Sequence, residues 1–297
     1  LENVSLAGER GIPCIDIGKK CNVNLQIAGE NELRTGGIRV PDSSVLTVVG
    51  DGNLTINLNS GKYFGIGNSL DEYHGELNFY QDGGIIINAN GMKGIGIGSG
   101  LGGVINIKRG HYEFDMKGQE GACIGSVNGD SELFIEYCDM DIYSGISNGT
   151  IIGSVNGNAD IKLENISAKL QGAGNVITGI GTIAGNSCMV RLENVNISSN
   201  IRAKECYGIG CRAGRTDIYI GYAAVKSVVQ GKAAVAFGNS IMSAKLYCSN
   251  ADVGTNAVTE FHSDIGALEK NIQLENGRAE FILNGQEVKR QILAARL

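Results

Sequence analysis

The chain has 297 residues, 42% hydrophobic and 19% charged, with a formal net charge of −6. This composition is too apolar for a disordered chain, and an acidic balance without any Lys/Arg run argues against a nucleic-acid partner. No apolar stretch reaches the roughly 18 residues of a membrane helix, so no membrane insertion of that kind is expected.

Glycine occurs 45 times and proline twice. That pairing excludes collagen and proline-rich linkers and suggests many tight turns in a regular structure. The eight cysteines are Cys14, Cys21, Cys123, Cys138, Cys188, Cys206, Cys211 and Cys248. None form a C-x-x-C pair or a zinc spacing. They read as small buried apolar residues, although an even count also permits disulfides.

In chain order, the first element is a piece of strand. "LENVSL" (1–6) repeats "LENISA" (163–168) and "LENVNI" (192–197). The chain therefore reads as beginning in mid-coil, as a fragment of a longer protein. An Ile-Gly series follows, at Ile66, Ile97, Ile124, Ile152, Ile180, Ile209 and Ile265, with Phe237-Gly238 filling one gap. Its steps are 31, 27, 28, 28, 29, 28 and 28 residues. Ile38 extends it backward by 28, and Ile15 by a shorter 23.

Each unit then carries a short alternating run: Leu133/Ile135, Ile161/Leu163, Val190/Leu192, Ile218/Ile220, Leu246/Cys248. A bend follows, often with asparagine (Asn165, Asn194, Asn250), and then a second alternating run. Period-two alternation means strands with one buried face. Two or three short strands per repeat, with no helical pattern, predict a single-stranded right-handed parallel β-helix over residues 1–283. At ~4.8 Å per coil, eight to nine coils make a rod about 40 Å long. In such a rod the bend asparagines tolerate left-handed backbone and stack their amides. The open coil ends, with unpaired strand edges, favour self-association.

Three stretches carry candidate chemistry. "SLDEYHGE" (69–76) sits in the longest repeat, and its Asp71, Tyr73 and His74 are candidate carbohydrate contacts, because solenoid insertions map to loops on one face. "GMKGIGIGSGLGG" (91–103) contains the G-x-G-x-x-G spacing, but no helix follows it and its glycines belong to the repeat, so no cofactor is expected. On the second run Glu113 and Asp115, then Asp139 and Asp141, point outward from adjacent coils. Such carboxylates could hold Ca²⁺ or act as an acid/base pair on a glycosidic bond, and they also suit a plain solvated face. No other metal site is expected. On the first run the outward column is Asn78, Asn106, Phe134, Lys162, Arg191, Tyr219 and Tyr247. Aromatics interleaved with cations and amides suit sugar rings, though cross-strand packing alone would also account for them.

The last element, "NGQEVKRQILAARL" (284–297), loses both glycine and alternation. The near-helical spacing of Val288, Ile292 and Leu293 predicts a short C-terminal capping helix or linker.

"VNLQIAGENELRTGGIRVPDSSVLTVVGDGNLTI" (23–56), followed by the Gly-Ile-Gly repeats, resembles β-helical repeat modules of gut-bacterial surface proteins labelled as carbohydrate-binding domains. The resemblance covers about residues 1–265. It implies an extracellular or wall-attached location and a non-catalytic role in binding polysaccharide or a cell-surface glycan, and it carries over no defined binding residues. Three functions are therefore expected in order: a binding or spacer module, a polysaccharide-active hydrolase, lyase or fructotransferase-like enzyme using Glu113, Asp115, Asp139 and Asp141, and a purely structural stalk.

Overall fold

The computed structural model describes residues 1–9, 11–240, 242, 244–260 and 272–293. Among them the chain is all-β. Fifteen strands form one sheet and ten the other, stacked as a β-solenoid of about nine turns.

One coil illustrates the rest. The short strand Ala159–Glu164 lies in the smaller sheet. Asn165 bends the chain, and the long strand Ser167–Thr182 crosses the larger sheet. A turn then leads into Ser187–Glu193, the next short strand. Each strand pairs in parallel with its equivalent one coil on: Ile161 beside Val190, Ala168 beside Ile197, Ile180 beside Ile209.

The Ile-Gly series is one continuous register column. Ile15, Ile38, Ile66, Ile97, Ile124, Ile152, Ile180, Ile209 and Phe237 lie beside one another in that order. From Ile38 onward all are fully buried. The short step to Ile15 changes only the loop between coils, because the stacked isoleucines must still fill the same place in the core. Ile265 lies outside the described residues.

The glycine that follows each isoleucine has a steric cause. Gly67, Gly98, Gly125, Gly153, Gly181 and Gly210 have φ between +130° and +143°. A Cβ built on any of them would lie 1.8–2.0 Å from the carbonyl oxygen of the glycine one coil on. Only a residue without a side chain fits both the backbone and the coil spacing.

Beyond that corner runs a ladder of hydroxyls. Ser99, Ser126, Ser154 and Thr182 stack in register and are fully buried. A buried hydroxyl needs a partner, and each donates to a glycine carbonyl of the adjoining turn: Ser99 Oγ to Gly102 at 3.1 Å, Ser154 Oγ to Gly129 at 2.8 Å, Thr182 Oγ1 to Gly157 at 2.7 Å. The alternation stops here, and Gly121–Ser126 is buried at every position. A second apolar cluster of Leu70, Ile95, Val127, Val155 and Ile183 packs on this side, apart from the main core.

The opposite bend uses left-handed backbone. Asn165, Asn194, Asn250 and Asn276 have φ of 53°, 50°, 50° and 43°. Asparagine tolerates this region better than other side chains, apart from glycine. Each bend N–H is satisfied by the coil beyond: Asn165 N–H donates to Glu193, Asn194 to Gly221, Asn250 to Glu275. The expected amide stacking is present where two asparagines adjoin, with Asn194 Nδ2 donating to Asn165 Oδ1.

All eight cysteines are free thiols, six of them buried. Burial pushes the thiols of Cys123, Cys138 and Cys248 up to about 12 and those of Cys206 and Cys211 to about 11. The six buried cysteines are small core residues, held by burial in the protonated form that reacts poorly with oxidants.

The expected C-terminal helix is not there. Gln286–Leu293 is a strand that pairs antiparallel with Gly277–Leu283. Asn284 and Gly285, both at positive φ (49° and 80°), make the two-residue turn between them. Asn-Gly is the strongest short hairpin signal, because a turn of this type needs left-handed backbone at both central residues. Residues 294–297 lie outside the described set. Among the described residues no helix is long and apolar enough to cross a membrane.

Candidate functional site

The outward column of the first run is continuous in three dimensions, except that Asn78 at its start is buried rather than outward. Asn78, Asn106, Phe134, Lys162, Arg191, Tyr219 and Tyr247 are consecutive register partners. Its polar start is tied by Asn106 Nδ2 donating to Asn78 Oδ1 at 2.8 Å. At its far end the rings of Tyr219 and Tyr247 are 6.4 Å apart and tilted by 48°. Tyr219 is 43% exposed, while Phe134, Lys162, Arg191 and Tyr247 are half-buried. Ion pairs steer the cations: Arg191 to Asp160 at 2.7 Å, and Lys162 to Glu164, whose hydrogen bond raises the lysine pKa and keeps it charged. The Tyr247 hydroxyl donates to Glu275 at 2.7 Å.

The acidic face is also assembled as expected. His111 lies beside Asp139, Glu113 beside Asp141, and Asp115 beside Tyr143. Tyr112, Phe114 and Met116 alternate with them and point into the core. Two of the carboxylates are ion-paired, Asp141 with Lys169 at 3.2 Å and Asp115 with Lys117 at 2.9 Å. Among the described residues no group of three or more His, Cys, Asp or Glu side chains is arranged to hold a metal ion, so these four make no such group.

The 69–76 insertion divides. Asp71 and Tyr73 are at the surface, Tyr73 being 55% exposed, and Asp71 faces Lys62 at 3.7 Å. His74 is not: it is 4% exposed, and its ring lies over Gly103, where a Cβ would be 2.6 Å from it. Its Nδ1 bonds to the Gly75 carbonyl, and its Nε2 has no partner. Burial lowers its pKa to about 4, against a smaller upward pull from the Gly75 hydrogen bond. His74 is a neutral core residue rather than a surface contact.

The sequence reading misses a groove at the asparagine bend. It has a volume of about 610 Å³, and its lining includes Tyr80, Asp82, Lys108, Arg109, Glu136 and Tyr137. Tyr80 is 39% and Tyr137 61% exposed. Arg109 pairs with Asp82 at 3.1 Å and Lys108 with Glu136 at 3.0 Å. Tyr137 has φ +51°, the left-handed conformation held by asparagine in four other coils and by Tyr222 (φ +45°) in a fifth. The available signal was this exchange: "EYCD" (136–139) aligns with "ENIS" (164–167), placing a tyrosine where the repeat puts asparagine.

Comparison with protein-family models, with curated proteins and with solved structures finds no match to the chain.

Proposed function

We propose that this solenoid is a non-catalytic binding or spacer module of a secreted or wall-attached protein, and that its ligand is carbohydrate. The observation that carries the reading is the tilted Tyr219–Tyr247 pair continued by Arg191 and Lys162 in one register column. From Phe134 to Tyr247 the column spans four coil steps, about 19 Å at ~4.8 Å each. That is a track for a polymer rather than a pocket for a small molecule. Aromatic faces take the apolar face of a sugar ring, while hydroxyls, guanidinium and ammonium groups bond its rim.

The test is a glycan-array screen of the wild-type chain beside the Tyr219→Ala, Tyr247→Ala double variant. Tyr219 is exposed and Tyr247 half-buried, and neither belongs to the core, so the fold is expected to survive. Loss of two aromatic anchors is expected to weaken binding by at least ~10-fold, equal to about 1.4 kcal/mol. Binding to no glycan, or equal binding by the double variant, contradicts the reading. One observation favours a polysaccharide-cleaving enzyme instead, namely Glu113 and Asp141 side by side on adjacent coils. Counting new chain ends released from a retained polysaccharide separates the two.

A further inference from the structure

We propose that the groove between Tyr80 and Tyr137 is a second carbohydrate subsite, and that it takes neutral rather than acidic sugars. The proposal rests on the carbohydrate reading above but on different residues, on the bend rather than on the sheet face.

Three observations lead to it. The first is conformational. Tyrosine at positive φ is an outlier, because its Cβ crowds the following carbonyl, and such strain persists where something else rewards it. Asn165, Asn194, Asn250 and Asn276 show that asparagine serves at this bend, and Tyr222 (φ +45°, 64% exposed) shares the exception outside this groove, so the strain supports the proposal only together with the spacing of the rings. Tyr137 is 61% exposed, so core packing is not the reward.

The second is spacing. Lys108 N–H donates to the Phe79 carbonyl, which sets Lys108 one coil beyond Tyr80, and Ile107 lies beside Ile135, which sets Glu136 one coil beyond Lys108. Tyr80 and Tyr137 therefore stand two coils apart, about 10 Å along the rod. Two exposed rings at that separation, with the groove between them, form paired platforms for non-adjacent sugar units of one chain.

The third is charge. The cations of the groove are already matched, Arg109 by Asp82 and Lys108 by Glu136, while Asp139 adds a further carboxylate to the lining. No lysine or arginine of the lining is left over for a uronate or sulfate, and the one further basic side chain there is His111. The paired side chains instead present fixed donors and acceptors, which suit sugar hydroxyls.

The decisive variant is Tyr137→Asn, which installs the residue that four other coils use. It removes the ring and relieves the backbone, so its thermal midpoint is expected to rise by about 2 °C. Affinity is measured by titration with mixed-linkage glucan, mannan and arabinoxylan, with polygalacturonate as the acidic probe. The wild type is expected to bind a neutral polymer more tightly than polygalacturonate. Tyr137→Asn and Tyr80→Ala are each expected to weaken that binding at least ~10-fold, with the Tyr219–Tyr247 column untouched. If the wild type binds a neutral polymer and both variants match it, the groove is not a subsite, while the carbohydrate reading stands. Tighter binding of polygalacturonate overturns the neutral assignment. A lower midpoint for Tyr137→Asn would make the tyrosine a structural residue and overturn the strain argument. No binding to any of the four polymers overturns this proposal together with the reading it rests on.

Discussion

Gly153→Ala is expected to destabilise the protein by about 3–5 kcal/mol, against roughly 5–15 kcal/mol for a typical domain. Two costs combine. Gly153 has φ +134°, a region closed to side chains, and an added Cβ would lie 1.9 Å from the Gly181 carbonyl oxygen. That oxygen is backbone in the middle of a parallel ladder, so it can move only by opening the stack. Because each coil of a solenoid is held mainly by its neighbours, the damage is expected to separate the two halves and to broaden or split the unfolding transition. Gly254→Ala is the control. A Cβ there meets nothing within 4 Å, and the change is expected to stay within about 0.5 kcal/mol. Urea unfolding of the two variants checks both statements, and equal midpoints would contradict the steric account of the corner.

Acid is expected to unfold the chain through His74 before most surface groups matter. The folded pKa is about 4, lowered from 6.5 by burial. Above pH 6.5 the imidazole is neutral in both states and its burial is tolerated in full. Between pH 6.5 and 4 the unfolded chain takes up the proton and the folded chain does not, so stability falls as pH falls. The full shift corresponds to a loss of about 3 kcal/mol by pH 4. His74→Asn keeps a donor for the Gly75 carbonyl and removes the titration. Its unfolding free energy is expected to vary correspondingly less between pH 6.5 and 4 than that of the wild type. Identical pH profiles for the two would show that His74 is not the group responsible.

The parts of this structure that could be read from sequence are those the repeat enforces. Stacking like on like places Ile15 in the column despite its 23-residue step, because the core demands an isoleucine there whatever the loop does. The same logic puts Asn165 and Asn194 at left-handed bends and Arg191 beside Tyr219. What escaped has local or long-range causes outside the repeat. In "LNGQ" (283–286) the turn chemistry of Asn284-Gly285 outweighs the near-helical spacing of Val288 and Ile292 that follows it. His74 is buried because Gly103, in the next coil, leaves room for its ring, and no pattern within 69–76 reports that. The Tyr80–Tyr137 groove lies where the two alternating runs meet, and alternation carries no signal at such a junction.

The central claim, a binding module without catalysis, is tested most directly by incubating the wild-type chain with each polysaccharide it retains and counting new chain ends. The account predicts retention of polymer with no release of reducing or unsaturated ends. Chain ends that accumulate with the wild type and vanish with Asp141→Asn would contradict it and establish the acidic face as an active site.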